Sequence, residues 1–127
     1  MNIAQYATGL QHVGIPTGDM DGSIRFYTGL GFENIHETLN GASRVVFLQL
    51  KDLIVEIWEG PSTGRSGAID HIAINVTDVE AVYRTVTGAG LSAIEGKICE
   101  LPFWELGVRY FTIEGLNAER IEFIQKL

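Results

Sequence analysis

The sequence predicts an α+β fold of two βαβββ modules, whose strands curl into one mixed sheet around a concave face with the helices outside. Three observations predict it: an internal repeat without gaps, the same order of strand and helix patterns in each copy, and polar residues at matching places in both. Shifting the chain by 59 residues lays LQHVGIPTGDMDGSIRFYTGLGF (10–32) on IDHIAINVTDVEAVYRTVTGAGL (69–91). His12 then falls on His71, Asp19 on Asp78, Arg25 on Arg84, Gly29 on Gly88 and Gly31 on Gly90.

Each copy opens with an alternating run, Gln11–Ile15 and Asp70–Ile74. Period-2 alternation is the mark of a strand with one apolar face, so Val13 and Ile15 (Ile72 and Ile74) share a face opposite the histidine. A helix follows in both. Asp19 is the expected N-cap in the first copy, and Thr77 with Glu80 has capping-box spacing in the second. Gly29/Gly31 and Gly88/Gly90 are expected to stop the helices, because glycine accepts the left-handed conformation at a helix end. Strands are then expected at 32–37, 44–50 and 53–58, and again at 91–98, 108–114 and 120–125. Asn40-Gly41, Lys51-Asp52 and Gly115-Leu116-Asn117 have the composition of hairpin turns. The whole chain, 1–127, reads as one domain of module 1–60 and module 67–127, joined by the Gly/Ser/Pro-rich linker 60–68.

Composition narrows the function. With 46% hydrophobic and 20% charged residues the chain has the balance of a globular domain, and no apolar run approaches the length of a membrane span. The N-terminus lacks a signal-peptide pattern, which sets a cytoplasmic expectation. A net charge of −7 with scattered basic residues disfavours nucleic acid and anionic membrane, leaving a small-molecule substrate as the expected partner. The single cysteine, Cys99, excludes an internal disulfide and a thiolate metal cluster.

The last strand of each copy carries one carboxylate in an apolar stretch, Glu56 in LIVEIW and Glu122 in RIEFI. Alternation puts each on the face opposite its apolar neighbours, where the histidines also point. Gly14 and Ala73, small residues, stand beside those histidines. Carboxylates inside buried strands are costly unless paired or bound to a cation. Two of them converging with two histidines require a positive centre. The pattern therefore predicts one divalent-metal site from His12, Glu56, His71 and Glu122 on the concave face, with positions left for water or substrate. Such a ligand set suits Ni, Zn, Co, Mn or Fe.

These segments resemble the vicinal oxygen chelate superfamily, which includes glyoxalase I, methylmalonyl-CoA epimerase, extradiol dioxygenases, and fosfomycin and bleomycin resistance proteins. The resemblance runs from about Leu10 to the end and is carried by LQHVGI, DMDGSIRFYTGLGF and IDHIAINV. The His-Glu-His-Glu order is similar to that of glyoxalase I, position by position. The epimerase usually has glutamine where Glu56 stands, and the dioxygenases and fosfomycin enzymes use two histidines and one carboxylate. Two departures weaken the link to glutathione. Phe26-Tyr27-Thr28 runs straight into Gly29 without the arginine of the glyoxalase helix, and Glu114-Gly115-Leu116-Asn117-Ala118 replaces the usual DPDG turn.

The resemblance implies a lyase or isomerase of the glyoxalase (lactoylglutathione lyase) type. It would transfer a proton on an α-hydroxycarbonyl or thiohemiacetal-like substrate, with Glu122 as the base and Glu56 as its pseudo-symmetric partner. It also implies a homodimer, with the ligands supplied by one chain or by two. Arg44 and Arg109 are expected to hold an anionic substituent, and Phe103, Trp104, Trp58 and Phe47 to wall the pocket. The longer loop of the second copy, 99–107, is the expected lid, and His36 is expected on the surface. The competing readings are a transferase or dioxygenase using His12, His71 and Glu122, and a metal-free drug- or metabolite-binding protein.

Overall fold

The computed structural model describes residues 1–29, 31–64, 67, 69–114 and 120–127. The described elements follow the order β1 (Ala7–Thr17), α1 (Met20–Gly29), β2 (Glu33–Asn40), β3 (Ser43–Leu50), β4 (Leu53–Glu59), β5 (His71–Val76), α2 (Val79–Gly88), β6 (Cys99–Leu101), β7 (Val108–Glu114) and β8 (Arg120–Lys126). This is β-α-β-β-β twice, the α+β architecture the repeat predicts. The chain groups into two compact units, His12–Asp70 and Met1–Gln11 with His71–Leu127.

In the unit His12–Asp70 the strands lie in the order β2-β3-β4-β1. The pair β1·β4 is parallel and the two hairpins are antiparallel. Lys51-Asp52 closes β3 onto β4, with Leu50 opposite Leu53 and Lys51 in the left-handed region (φ 56°). Val46, Leu48, Val55 and Ile57 present one apolar face, on which Met20, Phe32, Ile24 and Tyr27 pack. That contact fixes which way the alternation runs. His12, Gly14, Phe47 and Glu56 are left on the opposite face.

In the other unit the order is β5-β8-β7-β6, with β5·β8 parallel and the rest antiparallel. Val76, Val79, Val82, Val86, Phe111, Ile113 and Phe123 form its core, joined by Ile3 and Tyr6 from the N-terminal segment. Thr77 N–H donates to Tyr6 O (2.8 Å) and Thr8 Oγ1 to Asn75 O (3.2 Å), so the start of β1 lies along β5. Residues 1–11 therefore serve the module opposite to the one their sequence position suggests.

The helix ends obey the repeat more closely than the capping-box spacing did. Asp19 Oδ1 accepts from Gly22 N–H (2.9 Å) and Asp78 Oδ1 from Ala81 N–H (3.0 Å), so the aspartates 59 residues apart cap both helices. Thr77 is not the cap; its hydroxyl donates to Tyr6 O. Gly31 (φ 106°) and Gly90 (φ 91°) end the helices, with Phe32 N–H reaching Tyr27 O and Leu91 N–H reaching Val86 O.

The strand expected at 91–98 does not form. Gly96 adopts φ 77° and the segment turns. Ile94 N–H donates to Thr112 O (2.7 Å), and the Glu95 carboxylate accepts from Thr112 N–H (2.8 Å). A side chain thus replaces one backbone partner of β7, and regular pairing resumes only at Cys99–Leu101. The turn expected at Gly115-Leu116-Asn117 lies outside the described residues, as do Arg65, Ser66 and Ala68 of the linker. Among the described residues no helix is long and apolar enough to cross a membrane.

Candidate metal centre

Each unit builds one histidine–carboxylate pair from two adjacent parallel strands. In the first, Gly14 of β1 lies directly opposite Glu56 of β4, which places His12, two residues earlier, on the same face. His12 Nε2 is 3.7 Å from Glu56 Oε2. In the second, Ala73 of β5 lies opposite Glu122 of β8, and His71 Nε2 is 3.5 Å from Glu122 Oε2. The small residue beside each histidine keeps a side chain from filling the space over the carboxylate.

These distances are long for a direct N–H···O bond, whose usual range ends near 3.2 Å. Two ligands of one cation with metal–ligand bonds of about 2.0–2.2 Å stand roughly 3.0–3.5 Å apart. The pairs are therefore spaced much as neighbouring ligands of a divalent ion are. Both carboxylates are 8% exposed, a cost in solvation that a cation offsets. Imidazole nitrogen with carboxylate oxygen is a donor set that borderline divalent metals accept.

The surroundings of the pairs differ. Phe47 lies directly opposite Glu56 on β3, and its ring meets the His12 ring edge-on at 5.5 Å. The His12 side chain is fully buried. Around the second pair, Thr112 of β7 takes the place opposite Glu122, and Arg120 of β8 lies opposite His71. The His71 side chain keeps 13% of its surface in solvent.

Arg44 and Arg109 do not stand on these faces. Arg44 alternates with Phe47 onto the helix side, where its guanidinium bonds Asp21 (2.9 Å) and Glu37 (2.8 Å). These contacts hold the Asp21 carboxyl below its usual value, chiefly through the hydrogen bond from Arg44, and push the Arg44 pKa up. Arg109 alternates with Thr112 and reaches Glu80 of α2 (2.8 Å) and Glu100 (3.6 Å). In place of an anionic substituent, both arginines hold carboxylates of their own unit, including one on the packed helix.

Of the expected pocket walls, Phe47 and Phe103 are buried. Trp58 shares the face of Glu56, two residues along β4, with its ring against Gly60, where an added Cβ would meet the indole. Trp104 occupies the left-handed region (φ 62°), and Lys126 Nζ lies 3.9 Å from its ring centroid. The expected lid is in part a strand, since Cys99–Leu101 pairs with β7. His36 is half-buried, with its ring 6.0 Å from Phe47. Sequence reading passed over Thr112 and Arg120. Arg120 was detectable, because it stands two residues before Glu122 in an alternating strand.

Comparison with known proteins agrees with this architecture. The sequence model of the Glyoxalase/Bleomycin resistance protein/Dioxygenase superfamily matches residues 9–97. The uncharacterised protein YwbC of Bacillus subtilis (strain 168) is 32% identical over 125 residues, covering 92% of this chain and 97% of YwbC. Methylmalonyl-CoA epimerase from Mycobacterium tuberculosis has the same fold (TM-score 0.83, 22% identity), covering 100% of this chain and 93% of the epimerase chain. The Mn(II)-bound glyoxalase from Novosphingobium aromaticivorans superposes with a TM-score of 0.66 at 19% identity, over 94% of this chain and 39% of that one.

Proposed function

We propose a metal-dependent proton transfer for this chain, which belongs to the Glyoxalase/Bleomycin resistance protein/Dioxygenase superfamily. In this reading His12, Glu56, His71 and Glu122 hold one divalent ion, Ni, Zn, Co, Mn or Fe, supplied by one chain or by two chains of a homodimer. The substrate is a small molecule with adjacent oxygens, such as an α-hydroxycarbonyl. The reaction is an isomerisation, epimerisation or glyoxalase-type lyase step.

One observation carries the reading. The same His–Glu pair, with its carboxylate buried, occurs in each unit, at repeat-equivalent histidines and on equivalent last strands, with Nε2–Oε2 separations of 3.7 and 3.5 Å. A single pair would be ordinary; its duplication is what a shared cation explains. A divalent ion held there supplies Lewis-acid polarisation of the substrate oxygens, which makes the C–H beside them more acidic. The chain's own work is then proton transfer. Glu122, in the less enclosed pair, takes the proton from carbon and returns it, and general acid–base action of this kind contributes about 10²–10⁴-fold. His12, His71 and Glu56 fix the geometry, and Glu56 is Glu122's symmetric counterpart.

The test is elemental analysis of protein purified without chelator, followed by deuterium incorporation from D₂O into α-hydroxycarbonyl compounds. One ion per site and exchange that stops on chelation are expected. Protein free of stoichiometric metal that still binds small molecules would end this reading in favour of a binding protein.

A further inference from the structure

We propose that Arg120 anchors the substrate through an anionic group, a carboxylate, located a few bonds from the oxygens that face the metal. The inference rests on the metal reading above and deepens it by naming a chemical feature of the substrate.

Three observations carry it. First, register: Arg120 lies directly opposite His71 on the neighbouring strand and two residues before Glu122 on its own, so all three share one face. Adjacent strands are about 4.8 Å apart, which puts a guanidinium within reach of anything bound at His71 and Glu122. Second, availability: Arg120 is exposed and makes no ion pair with any described residue, although Glu114 lies opposite it on β7. Arg44 and Arg109, by contrast, are each committed to two carboxylates on the helix side. The other cation on this face of β8, Lys126, is four residues beyond Glu122 and stacked on Trp104. Third, asymmetry: the residue two before Glu56 in the other unit is Ile54, so the cation marks one pair alone.

On a chain of net charge −7, an anion approaching this face needs a local positive partner. A guanidinium is suited to that work, because its fork matches both oxygens of a carboxylate and it stays charged at any working pH. Arg120 is thus a specificity residue, separating substrates with a carboxylate from those with a neutral group of the same length.

The experiment measures calorimetric binding of two probes to the nickel-loaded full-length protein. Malonohydroxamate and propionohydroxamate have equal length and differ in a terminal carboxylate. Wild type should bind malonohydroxamate about tenfold more tightly. Arg120→Gln should remove that preference while leaving propionohydroxamate affinity unchanged, and Arg120→Lys should restore part of it. Arg84→Gln, an equal change of net charge on α2, should keep it whole. Absence of a preference in wild type, or its survival in Arg120→Gln, overturns the assignment and leaves the metal reading standing. Failure of both hydroxamates to bind overturns the metal reading, and the role of Arg120 with it.

Discussion

The two histidine–carboxylate pairs are built to one plan and placed in different settings. His12–Glu56 is sealed: its imidazole is fully buried and its cross-strand neighbour is Phe47. His71–Glu122 keeps some solvent, with Thr112 opposite the carboxylate and exposed Arg120 opposite the histidine. A duplicated unit begins with two equal halves. Here the polar partners have collected around one pair and the apolar ones around the other. A buried apolar shell fixes ligand geometry, whereas an open polar one admits and recognises substrate. In the proposed reaction this difference would divide the labour, with the first pair as anchor and the second as the reacting half.

Exchanging the two carboxylates one at a time tests that division most strongly. Glu122→Gln should lower the rate of deuterium exchange by about 10²–10⁴-fold with most of the metal retained, the span expected of a lost acid–base group. Glu56→Gln should cost no more than about tenfold, because an amide oxygen can still ligate. Equal losses in the two variants, read by NMR, would erase the distinction between the pairs.

Stability should rank the histidines the other way. His12→Ala empties a fully buried position against Phe47 and should cost about 2–4 kcal/mol in urea unfolding of the metal-free protein. His71→Ala, partly solvated, should cost about 1–2 kcal/mol. A larger cost at His71 would contradict the reading of His12–Glu56 as the sealed pair.

The capping aspartates should behave alike, since here the repeat has kept its symmetry. Asp19→Ala and Asp78→Ala should each cost about 1 kcal/mol, visible as similar shifts of the urea midpoint. The smallest effect belongs to the helix-side ion pairs. Arg44 holds the Asp21 carboxyl below its usual value, so this contribution is present above the unfolded pKa and fades as pH falls through the folded one. In Arg44→Gln the NMR titration of Asp21 should return to the ordinary aspartate range, with little change in unfolding at neutral pH.

Much of this was legible in the sequence, and the failures have physical causes. The repeat carried the module order, the Asp19 cap and the two histidines, because each is a local pattern repeated at one spacing. Glu56 and Glu122 stood out as carboxylates inside apolar strands. The second cap was misassigned to Thr77, whose hydroxyl donates to Tyr6 O, while Asp78 caps the helix. The 91–98 segment misled because its residues alternate like a strand, while Gly96 turns it and Glu95 satisfies Thr112 with a side chain. Arg44 and Arg109 misled through their similar positions in the repeats. Which face a charged strand residue occupies depends on register, and register depends on what packs below. The apolar faces of Val46 and Phe111 fixed it with both arginines toward the helices.

One feature governs how the chain comes into being. Ile3 and Tyr6 pack into a core made of Val76, Val79 and Phe111, and Tyr6 bonds across more than half the chain to Thr77. Residues 1–11 are synthesised well before β5 and α2, so their packing waits for both. The middle stretch, His12–Asp70, holds its own apolar cluster. Such long-range closure raises contact order and slows folding. A copy severed within 60–68 would leave Ile3 and Tyr6 without the core that covers them.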